Sequence, residues 1–167
     1  MQKQKNILPL AWLHALLSLG ILIFSTCLIL LSQAGKDGRY SEILGGAITG
    51  LGAPILGLVI LKRQPHNRIG WLWLIYGLAN AFFSLAFAFK YQANSALPAG
   101  YSDPLFVMLL FSETAAIIRL ISFMLLILWF PDGQPPSPRW KWLHWWAVAA
   151  LVLMTLQLFS EQVPWTE

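Results

Sequence analysis

Between Lys5 and Lys36 the chain carries no Asp, Glu, Lys or Arg, and nearly every side chain from Ile7 to Leu31 is apolar. At ~1.5 Å of rise per residue, a helical run of this length covers the roughly 30 Å of a bilayer's hydrocarbon core. It is not alone. Comparable runs lie near 43–61, 70–89, 104–130 and 142–159, so that with 7–32 the sequence predicts five transmembrane spans. An open strand edge has no partners in lipid, and no alternation of apolar and polar residues suggests a barrel, so the spans are expected to be helices. The expectation is an all-α integral membrane protein, a single membrane domain over 1–167 with no soluble domain. Composition agrees, with 57% hydrophobic residues, 11% charged and a mean hydropathy of +0.63. The polar residues gather into short clusters between the runs, where a water-soluble domain would spread them over a surface.

The cations are unevenly placed. Lys3, Lys5, Lys62, Arg63, Arg68, Arg139 and Lys141 fall on the side of the N-terminus, against Lys36, Arg39 and Lys90 on the other side, which also holds Asp37, Glu42, Asp103, Glu161 and Glu167. Short cytoplasmic loops are enriched in Lys and Arg, which places the N-terminus in the cytoplasm and the last residues outside. Tryptophan follows the same asymmetry: Trp12, Trp71, Trp73, Trp129, Trp140, Trp142, Trp145 and Trp146 all sit near the cationic boundary, as an interfacial belt does. The net charge of +4 therefore reflects orientation and contact with anionic lipid, not nucleic-acid binding. A cleaved leader is not expected, because the first apolar run is too long for a signal peptide.

Two loops on the cationic side are unusual. Gln64 to Leu74 reads QPHNRIGWLWL, where Pro65 helps end one helix, Asn67 suits a helix cap, Gly70 leaves room for close approach and Trp71 anchors the next span. Trp129 to Trp142 reads WFPDGQPPSPRWKW, a stiff proline-rich turn in which Asp132 is expected to bond its own backbone. PHNRIGWL at 65–72 and LWFPDGQPPSPRW at 128–140 resemble the paired loop signatures of the N-terminal multi-span membrane region of bacterial sensor histidine kinases. The matching positions are Pro65, Asn67, Ile69, Gly70, Trp71, Phe130, Pro131, Asp132, Gly133, Pro136, Ser137, Arg139 and Trp140; Gln134 stands where the family pattern has arginine. The resemblance implies a bacterial inner-membrane, multi-pass input region of a two-component system. It also implies a cytoplasmic helix pair with a phosphorylatable histidine and an ATP-binding domain, coupled to a response-regulator pathway. Neither soluble part is found in these 167 residues, so no kinase activity is expected of them; five spans end outside, and a cytoplasmic kinase on the same chain would need a further span.

Within the spans, Glu113 and Arg119 are the costly residues, and such groups face a bundle interior. Six positions apart, they point about 120° apart around a helix, so each needs its own partner. Measured from the helix ends at 1.5 Å per residue, Arg119 and Asn80 lie at roughly 16 and 14 Å, and Glu113 and Lys90 at roughly 25 and 28 Å. Arg119 with Asn80, and Glu113 with Lys90, are thus compatible in depth. Small residues mark packing faces: Ser112, Ala115, Arg119 and Ser122 in span four; Gly77, Ala81, Ser84 and Ala88 in span three; and in span two Gly45, Thr49, Ala53 and Gly57 beside Gly46, Gly50 and Pro54. The span-two face suits either packing within the chain or a homodimer.

Three functions are compatible with this reading: a sensory or regulatory input region, a stand-alone membrane interaction protein, and a small transporter built on Glu113 and Arg119. Catalysis is disfavoured, because no nucleophile, paired carboxylates or phosphate cradle converge, and neither metal ligands nor cofactor motifs are spaced for binding. Cys27, the one cysteine, lies inside an apolar run. The loops on the far side are too short for a ligand domain, which leaves lipid, membrane stress, a small hydrophobic molecule or a partner protein as the stimulus.

Overall fold

The computed structural model describes residues 7–31, 40–96 and 103–130, together with positions 133, 137, 140, 142, 145, 146, 148–150, 152, 153 and 156; within the helices, only the backbone is described at 7, 40–45, 47, 90–96 and 103–110. Among the described residues four continuous helices follow in order: α1 (Ile7–Leu31), α2 (Tyr40–Arg63), α3 (Arg68–Ala96) and α4 (Asp103–Trp129). Each covers one of the first four predicted runs nearly to its ends. Of the predicted span at 142–159, the described positions from 142 to 156 are helical and exposed, and the remainder lies outside the described residues. No strand occurs among the described residues. Among the described residues three stretches, Leu8–Leu31, Arg68–Phe89 and Phe111–Trp129, are long and apolar enough to cross a membrane.

α3 is the hub of the bundle. It packs against α1, α2 and α4, and α1 also touches α2. The outer sides of α1, α2 and α4 present large apolar side chains such as Leu13, Ile23, Ile48, Ile55, Leu120 and Ile127 to the surroundings. So much exposed hydrocarbon suits lipid and not water.

Lipid is as apolar as leucine, so helices in it associate through close contact and not through hydrophobic sorting. α1 shows how. Its buried positions are Ala11, Ala15, Ser18, Leu22, Ser25 and Ile29, spaced alternately four and three apart, and the small ones let α3 and α2 approach. Polar members of this stripe satisfy themselves within the helix: Ser18 Oγ donates to the His14 carbonyl at 2.8 Å, and Ser25 Oγ to that of Leu22 at 2.9 Å.

The tightest seam joins α2 to α3. A methyl group on Gly57 would lie 2.9 Å from the Gly70 carbonyl oxygen, one on Gly70 would lie 2.7 Å from Leu61 Cγ, and one on Gly77 would lie 2.8 Å from Pro54 Cδ. Pro54 has no N–H to give the Gly50 carbonyl, and its ring fits where Gly77 lacks a side chain. The space beside Gly57 is therefore filled by α3 of the same chain, and that beside Gly50 by Asn80 of α3 and Leu22 of α1. Gly46 and Gly52 have open space in the direction a side chain would take.

Trp71 and Trp73, read in the sequence as interfacial anchors, are half-buried and also pack against neighbouring helices. Trp71 packs on the cluster of Ala11, Ala15, Leu61 and Leu74, and Trp73 on that of Ile69, Leu72 and Leu126, because α3 is enclosed by three neighbours and little of its surface reaches lipid. Trp140, Trp142, Trp145 and Trp146 are exposed, as a belt requires.

The seam makes one substitution context-dependent. Gly57→Ala forces a methyl against a backbone oxygen and should destabilise the bundle by about 1–3 kcal/mol, whereas Gly52→Ala, with open space, should be neutral or slightly stabilising. Unfolding of the two variants in mixed micelles, followed by circular dichroism, measures the difference; equal effects would mean that α2 and α3 are not in backbone contact.

Candidate functional site

The polar centre of the bundle is Asn80, only 1% exposed on α3. Its Nδ2 donates to the Gly46 carbonyl of α2 at 3.2 Å, and its Oδ1 accepts from Arg119 Nη1 of α4 at 3.2 Å. One carboxamide thus ties three helices together. The absence of a side chain at Gly50 is what admits it, since a methyl there would lie 2.7 Å from Asn80 Nδ2. The Arg119–Asn80 contact anticipated from depth is present.

Arg119 is half-buried, and its guanidinium carbon lies 4.4 Å from the centre of the Phe83 ring. Neutral groups therefore hold this cation: an amide oxygen and an aromatic face. Among the described residues no ion pair reaches it. Glu113, half-buried two turns earlier on α4, has no hydrogen bond or ion pair among the described residues either, and the side chain of Lys90, its expected partner, lies outside them. The stripe around Arg119 behaves as read from the sequence, with Ala115 and Ser122 buried toward α3.

A second assembly forms at the end of the bundle where α2 turns into α3. Asn67 caps α3: its Oδ1 accepts from the Ile69 N–H at 2.8 Å, two residues into the helix, while its Nδ2 donates to Gln64 Oε1 at 2.7 Å. The turn closes with the Gln64 N–H donating to Ile60 and the Asn67 N–H to Gln64, at 2.7 and 3.0 Å. Lys62 and Arg63 occupy the last turn of α2, where the helix dipole favours cations. Pro65 is half-buried and His66 exposed.

The second loop comes to meet this turn. Gly133 has φ +70°, the left-handed conformation that L side chains rarely adopt, and its N–H donates to the Trp129 carbonyl at 2.7 Å, closing the end of α4. A methyl on Gly133 would lie 3.5 Å from Asn67 Oδ1 and 3.8 Å from both Arg68 Cβ and Ile69 Cγ1. The two motif loops, about 60 residues apart in sequence, approach so closely that a single methyl group at Gly133 would touch the Asn67 turn. Trp140 is exposed and its N–H donates to Ser137 at 3.1 Å; Pro131, Asp132 and Arg139 lie outside the described residues, as do the surroundings of Gly45.

The sequence reading passed over the α1 stripe and the meeting of Gly133 with Asn67. The spacing of Ala11, Ala15, Ser18 and Ser25 is a usable signal for the first; the second is tertiary and left no local trace. Among the described residues no cluster of three His, Cys, Asp or Glu side chains could hold a metal ion.

Two measurements check this geometry. A double-mutant cycle of Asn80→Ala and Arg119→Ala should give a coupling of about 0.5–1.7 kcal/mol, and additive losses would show that the contact contributes nothing. Gly133→Ala should cost about 1–2 kcal/mol through its positive φ alone, with Gly133→Asn costing less, because Asn tolerates that conformation.

Comparison of the chain with protein-family models, with curated proteins and with solved structures finds no match. The likeness to sensor-kinase input regions rests on the two loop motifs themselves.

Proposed function

We propose that this chain is the membrane-embedded input region of a bacterial two-component signalling system, residing in the inner membrane with five spans, its N-terminus cytoplasmic and residue 167 outside. The observation that carries the proposal is the convergence of the two motif loops: Gly133 lies within one methyl group's reach of the Asn67 cap, which brings the ends of α2, α3 and α4 close together on the cationic side. An input region has to convert a change in helix packing into a change at the face where its kinase works. The Asn80 junction supports that role. It links α2, α3 and α4 inside the bundle through two hydrogen bonds at 3.2 Å, and a directional bond of this kind is sensitive to a shift of α4 along α3. Arg119 then has to find another acceptor, which makes two discrete arrangements more favourable than a continuum.

The catalytic partner of such a region is a histidine kinase, on the same polypeptide or on another one held beside it. An antibody against residues 131–141 should recover, from native membranes given radiolabelled ATP, an acid-labile phosphate on this polypeptide or on one captured with it. A recovered band far above 18.8 kDa places the kinase on the same chain, and a band at 18.8 kDa beside a labelled partner places it on another. Arg119→Ala should change the label at least threefold. Recovery of the protein without acid-labile phosphate under any membrane stimulus would overturn the proposal.

A further inference from the structure

Between α1, α3 and α4 lies a cavity of about 450 Å³, within the size range of small-molecule sites and lined almost wholly by apolar atoms. Its walls include Phe82 and Phe111, whose rings meet edge to face at 5.4 Å, with Ala115 and Ile118 of α4 beside them. Two polar residues also line it, His14 from α1 and Thr114 from α4.

The hydrogen bonding of His14 determines what it offers. Its Nδ1 lies 3.2 Å from the Leu10 carbonyl oxygen. That oxygen only accepts, so Nδ1 carries the proton, and in the neutral imidazole Nε2 is left with a lone pair. The ring is held in place edge-on to Trp71, with centroids 6.1 Å apart. This acceptor lies seven residues into α1, roughly 10 Å along the apolar helix from its first residue. An acyl chain could fill the apolar walls but gives the imidazole nothing, and an unmet polar group in hydrocarbon is costly.

We propose that this cavity binds a membrane-soluble aryl alcohol, a phenol or hydroquinone, with the ring against Phe82 and Phe111 and the hydroxyl donating to His14 Nε2. Aromatic walls favour an aromatic guest through edge and offset contacts, and a hydroxyl supplies the donor that His14 lacks. The polar junction lies on the same two helices: Ala79 on the wall precedes Asn80, and Ile118 precedes Arg119, although Asn80 and Arg119 do not themselves line the cavity. A guest that changes the spacing of α3 and α4 acts on the Arg119–Asn80 bond through those helices. As the stimulus of the bundle, such a ligand rests on the signalling role proposed above; as a bound molecule it does not.

The test measures binding alone, on the whole chain in phosphatidylcholine nanodiscs, with 4-octylphenol and its methyl ether 4-octylanisole, which lacks the donor. The phenol should bind saturably and the ether about five- to tenfold more weakly, as loss of one hydrogen bond predicts. His14→Phe should lower the phenol to the affinity of the ether and leave the ether unchanged. Ile118→Trp, at a partly exposed wall position, should weaken both at least tenfold. In protein labelled with ¹⁵N-histidine, the His14 Nε2 resonance should move on titration with the phenol and not with the ether. Equal affinities of phenol and ether for the unaltered protein, purely non-saturable partitioning, or binding undiminished in Ile118→Trp would each overturn the proposal. Because no phosphate transfer is measured, these outcomes are separate from failure of the signalling role.

Discussion

The backbones of α2 and α3 meet along a line of residues with little or no side chain, and the rest of the bundle is arranged around that contact. Gly57 lies against the Gly70 carbonyl, Pro54 against Gly77, and Gly50 against the Asn80 side chain. In hydrocarbon, where burying a leucine gains nothing over leaving it in lipid, such close approach is the source of attraction, through dispersion summed over many atoms. It also decides where polarity is tolerated. The gap at Gly50 is what lets a carboxamide lie between two helices with its donor on a backbone oxygen, leaving its own oxygen facing α4.

From that point the polar chemistry is arranged by satisfaction, not by charge pairing. Arg119 rests on an amide and an aromatic ring, Ser18 and Ser25 bond carbonyls of their own helix, and Asn67 satisfies the first turn of α3. Those within the spans would cost several kcal/mol if left unmet in lipid. A cation held by neutral partners is also easier to release than one in a buried ion pair, since no opposite charge is stranded when the contact opens.

The two loops show how distant segments become one surface. Gly133 adopts a left-handed conformation to end α4, and the same turn brings it close to the Asn67 cap. Local rules account for each half: an Asn two residues before the first bonded N–H, a Gly where φ is positive. Their close approach depends on α3 and α4 packing at one level, through Ile69, Leu72 and Leu126 with Trp73 and Trp129 around them.

Although α3 runs on to Ala96, seven residues past the predicted end, sequence alone determined the helical, apolar character of the chain, the extents of α1, α2 and α4 and the start of α3 to within three residues, and the cap at Asn67. Each of these follows from chain-local quantities: the length of an apolar run, the chemistry of a turn, the cost of a charge. The depth match of Arg119 with Asn80 was also legible, because a straight helix converts residue number into height. What the sequence could not distinguish was direction around each helix. A span that is apolar on every side has no hydrophobic face to read, so whether Gly50 and Gly57 met α3 or a second chain, and whether Trp71 faced lipid or α1, was decided only when three helices closed around α3. The cavity beside His14 is of the same kind. It exists because α1 and α4 flank α3 without filling the space between them, a property of no single helix.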